Sequence, residues 1–531
     1  AALADGEGTQ TNDVAQIGGT GYATLQAAID AAKSGDTIVL KKSISATEIG
    51  EKKQLQFVKA DMNVTLDLNQ NTITAEAGEA IAINAANITL TVKNGTIENF
   101  AEGSYSDGVY AYKESNNLTL AFENIVLKSR TQGLAVQGLT SNSNVNIVNS
   151  NITSTEGLGI YYPPKSGTLT ISDSEITGVT GIVVKGSNLV VNGEKTIISG
   201  TGPNVDPETY YTGATDGSST LTETGDAVYV ESGYNDRDIS VSISGGHLNS
   251  KNAKAVRMFV KNGENTSAKR EISVTGGTFS SDVSAYVAKG YVQNENGTVE
   301  QLGETNAVAK VGDTYYKTLA DAVAAAQDGD TITLLKDAEL TSTLNLAKNI
   351  TIDGQGKYTI KAANSFTVGS DNKTYCVLYV SGEVTLKDVT VNGNEKCRVI
   401  FCDKGKLTID GATITNGKAP NFIGGVYMTS SASFEMKSGS ITGNKNAKGY
   451  QNDEYLQYSS DLWIGANANG ALTAINGGTI GNVFVNANAW SASNPGSFTM
   501  NGGTVTNLYV EHDANYGATF KYNDGTIEHL Y

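Results

Sequence analysis

The chain has 531 residues, of which 39% are hydrophobic and 59 are glycine, enough for more than one folded core. Its formal net charge of -17 argues against nucleic acid or an anionic membrane as a partner, because both need clustered Lys and Arg. No run of about 18 apolar residues is present, so the sequence predicts no membrane span.

The first thirteen residues, AALADGEGTQTND, are small and polar and predict a flexible tail over 1–13. They look like what remains after a signal segment is cleaved at small residues. We therefore expect an exported protein, secreted or held at the cell surface.

The next segment, YATLQAAIDAAKSGDTIVL, predicts a short amphipathic helix followed by a strand. Thr24 is a suitable N-cap residue, and Gly35 stands where the chain leaves the helix. The apolar residues with helical spacing are Leu25, Ala28, Ile29 and Ala32.

A shorter repeat follows, in which a strand, a Gly/Asn/Ser turn and an apolar residue recur at intervals of roughly 22 to 31 residues. Examples are VKNGTI (92–97), IVNSNI (147–152) and VTGGTF (274–279). Short alternating strands at this period favour a parallel β-helix, and parallel crossovers predict a right-handed one. The first β-helix is predicted over 14–302, with a closing hairpin that turns at Asn296-Gly297.

At Tyr316 the chain repeats its opening as YKTLADAVAAAQDGDTITL, with Thr318 and Asp321 in a capping box. Further turn repeats follow, such as INGGTI (475–480) and MNGGTV (500–505). The fold class is therefore predicted as all-β: two tandem right-handed parallel β-helices, each with an N-terminal amphipathic capping helix over its open edge. The second is predicted over 303–531, and its ending in mid-repeat predicts that the natural chain continues.

These caps, the GGTI coils and the stretch GGTFSSDVSAYVAKGYV resemble those of adhesin-like cell-surface proteins of gut bacteria. The resemblance covers nearly the whole chain. Those proteins are similar in fold to pectate lyases. The resemblance implies a surface location and an adhesive role, and it says little about activity.

Catalysis is not favoured by the sequence. The N-T-D, D-D and G-H-G signatures of the hydrolases of this fold are absent, and no Asp cluster is predicted near Arg257. Asp226, Asp236 and Asp238 are close enough for a calcium ion, although a solvated loop is the favoured interpretation. No cofactor, catalytic residue or metal ligand is predicted.

Three cysteines, Cys376, Cys397 and Cys402, fit neither a disulfide framework nor a zinc site. Cys376 and Cys397 lie about one coil apart, which leaves a bridge between them as an alternative. Buried free thiols are the favoured prediction.

One feature of the second half indicates a functional surface in addition to a structural framework. Each coil there carries an apolar–aromatic–apolar triplet. Alternation predicts that the central residue points outward, so that these residues form one row, the aromatic stripe. Its members are Tyr379, Phe401, Tyr427, Trp463, Phe484, Tyr509 and Tyr531. Stacking within the sheet, or packing under loop 444–460, would also explain the row.

The function predicted from these observations is adhesion or glycan binding through the aromatic stripe, without catalysis. Host or microbial glycans, or a host surface protein, are the expected partners. Two alternatives stay open: a polysaccharide lyase or glycoside hydrolase, which needs outward carboxylates on adjacent coils, and a structural stalk or protein-partner module with the stripe covered.

Overall fold

The computed structural model describes residues 12–103, 105–213, 221–232, 237–260, 268–419, 423–429, 431–446, 456–465, 473–487, 496–512 and 517–531. The chain divides into two compact units, residues 1–301 and 302–531. Each unit is built mainly from short parallel strands.

The first unit begins with strands β1 (Ala15–Ile17), β2 (Thr20–Tyr22), β3 (Thr37–Leu40), β4 (Leu55–Phe57), β5 (Asn63–Asp67), β6 (Thr72–Ala75), β7 (Glu79–Ile83) and β8 (Thr89–Asn99). It continues with β9 (Asp107–Ala111), β10 (Thr119–Ser129), β11 (Gln132–Val136), β12 (Ser143–Val148), β13 (Asn151–Ser154), β14 (Leu158–Tyr162), β15 (Gly167–Ser172) and β16 (Glu175–Gly178). It ends with β17 (Thr180–Val184), β18 (Ser187–Asn192), β19 (Ile197–Gly200), β20 (Val228–Glu231), β21 (Ile239–Ser250), β22 (Val256–Phe259), β23 (Arg270–Phe279), β24 (Tyr291–Gln293) and β25 (Val299–Gln301). Its helices are α1 (Leu25–Ala31), α2 (Ala46–Ile49) and α3 (Pro207–Gly213).

Three stacks of parallel strands make up the first unit, and each coil contributes one strand to a stack. Stack 1 contains β3, β5, β12, β15, β18 and the first halves of the long strands β8, β10 and β21. Stack 2 contains β6, β13, β16, β19 and the second halves of the same long strands. Stack 3 is an eight-stranded sheet of β4, β7, β9, β11, β14, β17, β20 and β22. The antiparallel pair β24–β25 follows, with Gly297 at a φ of 84° in its turn.

The turns between strands depend on asparagine in the left-handed conformation. Asn94, Asn124 and Asn149 have φ values of 59°, 55° and 47° at the same place on successive coils. Their side chains join the coils, because Asn124 Nδ2 donates to Asn94 Oδ1 at 3.2 Å and Asn149 Nδ2 donates to Asn124 Oδ1 at 2.6 Å. Asparagine tolerates this backbone region better than most residues, which explains its frequency in the repeats.

Helix α1 packs at the start of the first unit. Thr24 Oγ1 accepts a hydrogen bond from the amide of Ala27 at 3.2 Å, as an N-cap residue does. Leu25, Ala28 and Ile29 are buried and belong to the same apolar core as the strands. The helical spacing of apolar residues therefore places one face of α1 against that core.

The second unit begins with strands β26 (Ala309–Val311), β27 (Thr314–Tyr316), β28 (Thr331–Leu334), β29 (Ala338–Leu340), β30 (Leu344–Leu346), β31 (Ile350–Asp353), β32 (Thr359–Ala362) and β33 (Cys376–Val380). It continues with β34 (Glu383–Lys387), β35 (Thr390–Asn392), β36 (Arg398–Cys402), β37 (Gly405–Asp410), β38 (Thr413–Thr415), β39 (Val426–Met428), β40 (Ala432–Met436) and β41 (Ser440–Ile441). It ends with β42 (Leu462–Ile464), β43 (Thr473–Ile475), β44 (Thr479–Val485), β45 (Ser497–Met500), β46 (Thr504–Val510), β47 (Thr519–Tyr522) and β48 (Thr526–Leu530). Helix α4 spans Leu319–Ala325, and a 3-10 turn spans Leu456–Ser459.

The second unit has the same three stacks. Stack 1 contains β28, β31, β34, β37, β40, β43, β45 and β47. Stack 2 contains β29, β32, β35, β38 and β41, stack 3 contains β30, β33, β36, β39 and β42, and the long strands β44, β46 and β48 serve both. In α4, Thr318 Oγ1 accepts from the amide of Asp321 at 3.1 Å, and Leu319, Ala322 and Val323 are buried.

Candidate functional site

The residues of the aromatic stripe form a row on the outer side of stack 3 in the second unit. Consecutive members from Tyr379 to Tyr509 stand directly opposite each other on neighbouring coils. Tyr531 continues the row beyond Tyr509, because its amide donates to Leu508 O at 2.9 Å. The register predicted from the triplets is therefore observed.

The rings contact one another along the row. Centroids are 6.0 Å apart for Tyr379 and Phe401, and 5.2 Å apart for Phe401 and Tyr427. Trp463 stacks on Phe484 at 4.4 Å with planes 1° apart. These distances lie within the range of favourable aromatic pairs. Contacts between the rings therefore stabilise the sheet whether or not a ligand binds.

The middle of the stripe is covered. The exposed fractions are only 8% for Trp463 and 1% for Phe484, and both pack with Ile423 and Leu456 from segments between strands. Phe401 is 4% exposed. In the state described here, a ligand therefore has no direct access to these three rings.

The two ends of the stripe are more open. At the C-terminal end Tyr531 is 49% exposed, and Tyr458 of the 3-10 turn stacks on it at 4.3 Å. Of the tyrosines in loop 444–460, Tyr450 and Tyr455 lie outside the described residues. At the N-terminal end Tyr379 and Tyr427 are half-buried.

Polar groups surround the N-terminal end. Tyr379 OH donates to Asp403 Oδ2 at 3.2 Å, and Lys373 Nζ lies 3.4 Å from the same carboxylate oxygen. Lys373 Nζ also lies 5.6 Å from the centroid of the Tyr379 ring. An aromatic ring beside one cation and one anion is suited to an amphipathic ligand such as a sugar.

Arg398 is buried beneath this end of the stripe, with 1% of its surface exposed. Its guanidinium carbon lies 5.0 Å from the ring centroid of Tyr427, and its Nε and Nη1 donate to Ile423 O and Asn372 Oδ1, each at 3.1 Å. Within the described ranges no carboxylate forms an ion pair with it. Burial lowers the pKa of Arg398, and the aromatic face partly compensates the charge.

The equivalent face of the first unit, the outer side of its stack 3, is less regular. Tyr110 and Tyr161 flank Ala135 in register, and Val183 separates Tyr161 from Tyr229. Ala135 and Val183 therefore interrupt the row of tyrosines in the first unit.

Stack 3 of the first unit also holds two carboxylates in register that the sequence did not indicate. Glu79 of β7 and Asp107 of β9 stand opposite each other on adjacent coils, and Asp107 is only 2% exposed. Tyr112 OH donates to Glu79 Oε1 at 2.6 Å, and Thr131 Oγ1 donates to Asp107 Oδ1 at 2.5 Å. Burial, and then the negative charge of Glu79, raise the pKa of Asp107 to about 6.

This raised pKa predicts a pH dependence of stability. An ionised Asp107 is disfavoured in the folded state, so its contribution is favourable below pH 4 and is lost as the pH rises through about 6. We expect Asp107→Asn to raise the free energy of unfolding above that of the wild type by on the order of 3 kcal/mol at pH 7.5. At pH 3.5 we expect the two proteins to be equally stable. Urea unfolding of both proteins across this range measures the difference.

The matched control for this prediction is Glu156→Gln, because Glu156 is 60% exposed and pairs only with Arg130 at 3.0 Å. A stability difference between wild type and Asp107→Asn that does not change with pH would contradict the prediction.

Arg257 has one acidic partner among the described residues, Asp226. Its Nη2 lies 2.9 Å from Asp226 Oδ1, which also accepts from the amide of Lys254 at 2.8 Å. Asp238 accepts from the amide of Lys269 at 2.7 Å, and Asp236 lies outside the described residues. Across the described parts of the chain, no group of three or more His, Cys, Asp or Glu side chains is arranged to hold a metal ion.

The three cysteines are buried free thiols, and no bridge joins Cys376 to Cys397. Burial raises the pKa of each thiol to about 12. Thiols with such pKa values are poor nucleophiles at neutral pH, so these residues serve packing. No helix in the described residues has the length and apolar character that a membrane crossing requires.

Comparison with known proteins identifies the character of one part of the first unit. The family model described as a right handed beta helix region matches residues 51–196. These residues therefore have the sequence character of a right-handed β-helix, in agreement with their parallel stacks. A search of curated proteins gives no match.

Among solved structures, the chain is similar to the PL6 family alginate lyase AlyGC at 11% identity and a TM-score of 0.20, covering 95% of this chain and 99% of that chain. A mutant of the same lyase matches at 12% identity and a TM-score of 0.22, covering 94% of this chain and 88% of the other. These values are too low to assign an activity.

Proposed function

We propose that this chain is an exported cell-surface protein that binds glycans without cleaving them, through the N-terminal end of the aromatic stripe. The observation that supports it is the half-buried ring of Tyr379, which heads a row of stacked aromatics and is flanked by Lys373 and Asp403. Sugars present C–H faces that stack on such a ring and hydroxyl groups that bond to neighbouring charges.

We further propose that the two units are tandem right-handed β-helices and that α1 and α4 cap their N-terminal edges. The three parallel stacks of each unit and the buried faces of both helices support this arrangement.

A glycan array tests the binding function. We expect wild type to bind one or more glycans and Tyr379→Ala to bind them about tenfold or more weakly, because the stacking ring is removed. The matched control is Tyr522→Ala, at a tyrosine of the same unit that is 52% exposed and lies outside the stripe.

Three outcomes separate the possibilities. Loss in Tyr379→Ala with retention in Tyr522→Ala supports the proposed site. Equal binding by all three proteins would mean that the N-terminal end of the stripe is not the binding site. The absence of any binding by wild type would contradict the glycan-binding function itself.

Polysaccharide cleavage is the second candidate, and the Glu79–Asp107 pair favours it. Directly opposed residues of parallel strands are about 4.8 Å apart at the backbone, which suits two carboxyl groups acting on one glycosidic bond. Asp107, with its raised pKa, would be the general acid and Glu79 the nucleophile or base, but Asp107 is only 2% exposed, so this function also requires the segments around it to open. New reducing ends from a polysaccharide panel with wild type, but not with Glu79→Gln, would establish cleavage.

A further inference from the structure

We propose that stack 1 of the second unit carries a separate binding site for neutral oligosaccharides, a polar groove that we call the threonine trough. It is a cavity of about 300 Å³ on the outer side of the stack. Its lining contains Asn349, Thr351, Glu383, Thr385, Lys406, Thr408, Glu435 and Lys437. This site does not depend on the aromatic stripe, which lies on stack 3.

The floor of the trough is a row of side chains in register. Thr351, Thr385, Thr408 and Glu435 stand opposite one another on four successive coils. Strand alternation turns them outward, because their neighbours along each strand, such as Ile350 and Ile352, are buried in the core. Three steps of about 4.8 Å give the row a length of roughly 14 Å.

Equal numbers of acidic and basic residues line the trough. Lys406 Nζ lies 2.5 Å from Glu435 Oε2, and Asn476 Nδ2 donates to Glu435 Oε1 at 3.2 Å. The bond from Lys406 lowers the pKa of Glu435, so this pair stays ionised at neutral pH. With Glu383 and Lys437 also in the lining, the formal charges cancel, which favours an uncharged ligand.

The chemistry of the lining identifies the ligand class. Threonine hydroxyls both donate and accept hydrogen bonds, as sugar hydroxyls do, whereas ammonium groups only donate and carboxylates only accept. The described lining contains no aromatic side chain, so recognition depends on hydrogen bonds instead of stacking. Because threonine recurs on three successive coils, the row matches a chain of repeating hydroxylated units that lies along the stacking direction.

The test uses the full chain carrying Tyr379→Ala, so that binding at the stripe does not contribute. The probes are cellotetraose, maltotetraose and xylotetraose, observed by saturation-transfer NMR and titrated by calorimetry. We expect at least one tetrasaccharide to bind. Thr351→Val/Thr385→Val should weaken that binding about tenfold or more, because it removes the hydroxyl groups of two half-buried threonines without changing side-chain shape, whereas Thr408 is only 6% exposed.

Two further variants keep the result interpretable. Thr351→Ser/Thr385→Ser retains both hydroxyls and should retain binding. Thr499→Val alters the same row beyond the trough and should leave affinity unchanged, since Thr499 lies outside the lining. The absence of saturation transfer from all three tetrasaccharides, or equal affinity in the valine and serine variants, would overturn the proposal. Equal glycan binding by wild type and Tyr379→Ala would contradict the binding site proposed at the stripe, and it would leave the proposal for the trough unchanged.

Discussion

Glu231→Leu is expected to destabilise the first unit by about 3–5 kcal/mol, because it leaves the ammonium group of Lys185 buried without its counter-ion. Lys185 and Glu231 form an ion pair in which each side chain is only 1% exposed. Lys185 Nζ also donates to Leu221 O at 2.9 Å, and Tyr211 OH donates to Glu231. Urea unfolding at pH 7, followed by circular dichroism, measures the loss.

A double variant distinguishes the cost of leaving one buried charge unpaired from the cost of losing the ion pair itself. Lys185→Met/Glu231→Leu replaces both charges with apolar groups of similar size and should recover most of the lost stability. The surface control is Glu48→Gln: Glu48 pairs with Lys42 at 2.7 Å, the two side chains are 34% and 50% exposed, and the change should be below about 1 kcal/mol. A Glu231→Leu cost as small as the Glu48→Gln cost would contradict burial of the Lys185–Glu231 pair.

Phe484→Ala is expected to destabilise the second unit by about 3–5 kcal/mol, the usual cost of truncating a buried aromatic residue. Phe484 lies between two rings, with centroids 4.4 Å from Trp463 and 5.0 Å from Tyr509, and it is 1% exposed. Removing it creates a cavity under the covering segments that hold Ile423 and Leu456. The shift in the unfolding transition of the second unit provides the measurement.

Tyr522→Ala is again the control, with an expected change below about 0.5 kcal/mol at an exposed side chain. The comparison also assigns a role to the centre of the stripe. If Phe484→Ala left stability unchanged and removed glycan binding, the covered rings would be a binding surface after all, and the packing described above would be wrong.

The position of the aromatic row was predictable because its signal is local. In triplets such as Leu378, Tyr379 and Val380, the outer two residues belong to the core, so strand alternation fixes the direction of the middle one. The turn motifs likewise carry their own conformational preference, as Asn94 and Asn124 illustrate.

The cover over the row was predicted only in part: the sequence offered loop 444–460, which contains Leu456, as one alternative, but it gave no sign of the contact made by Ile423. Ile423 and Leu456 belong to segments between strands, where no periodicity indicates which surface a side chain will contact. Glu79 and Asp107 were missed for a related reason. Their alignment depends on the length of the coil between β7 and β9, and coil lengths in this chain vary too much for residues to be matched by counting.

The pairing of each strand with the strand one coil away has a consequence for how such a chain changes over generations. Duplicating one coil adds a rung to all three stacks and leaves every other pairing intact. Each duplication lengthens both the aromatic stripe and the threonine trough by about 4.8 Å. The length of both surfaces is thus set by the number of coils, which recombination within the gene can change without altering the core of the other coils.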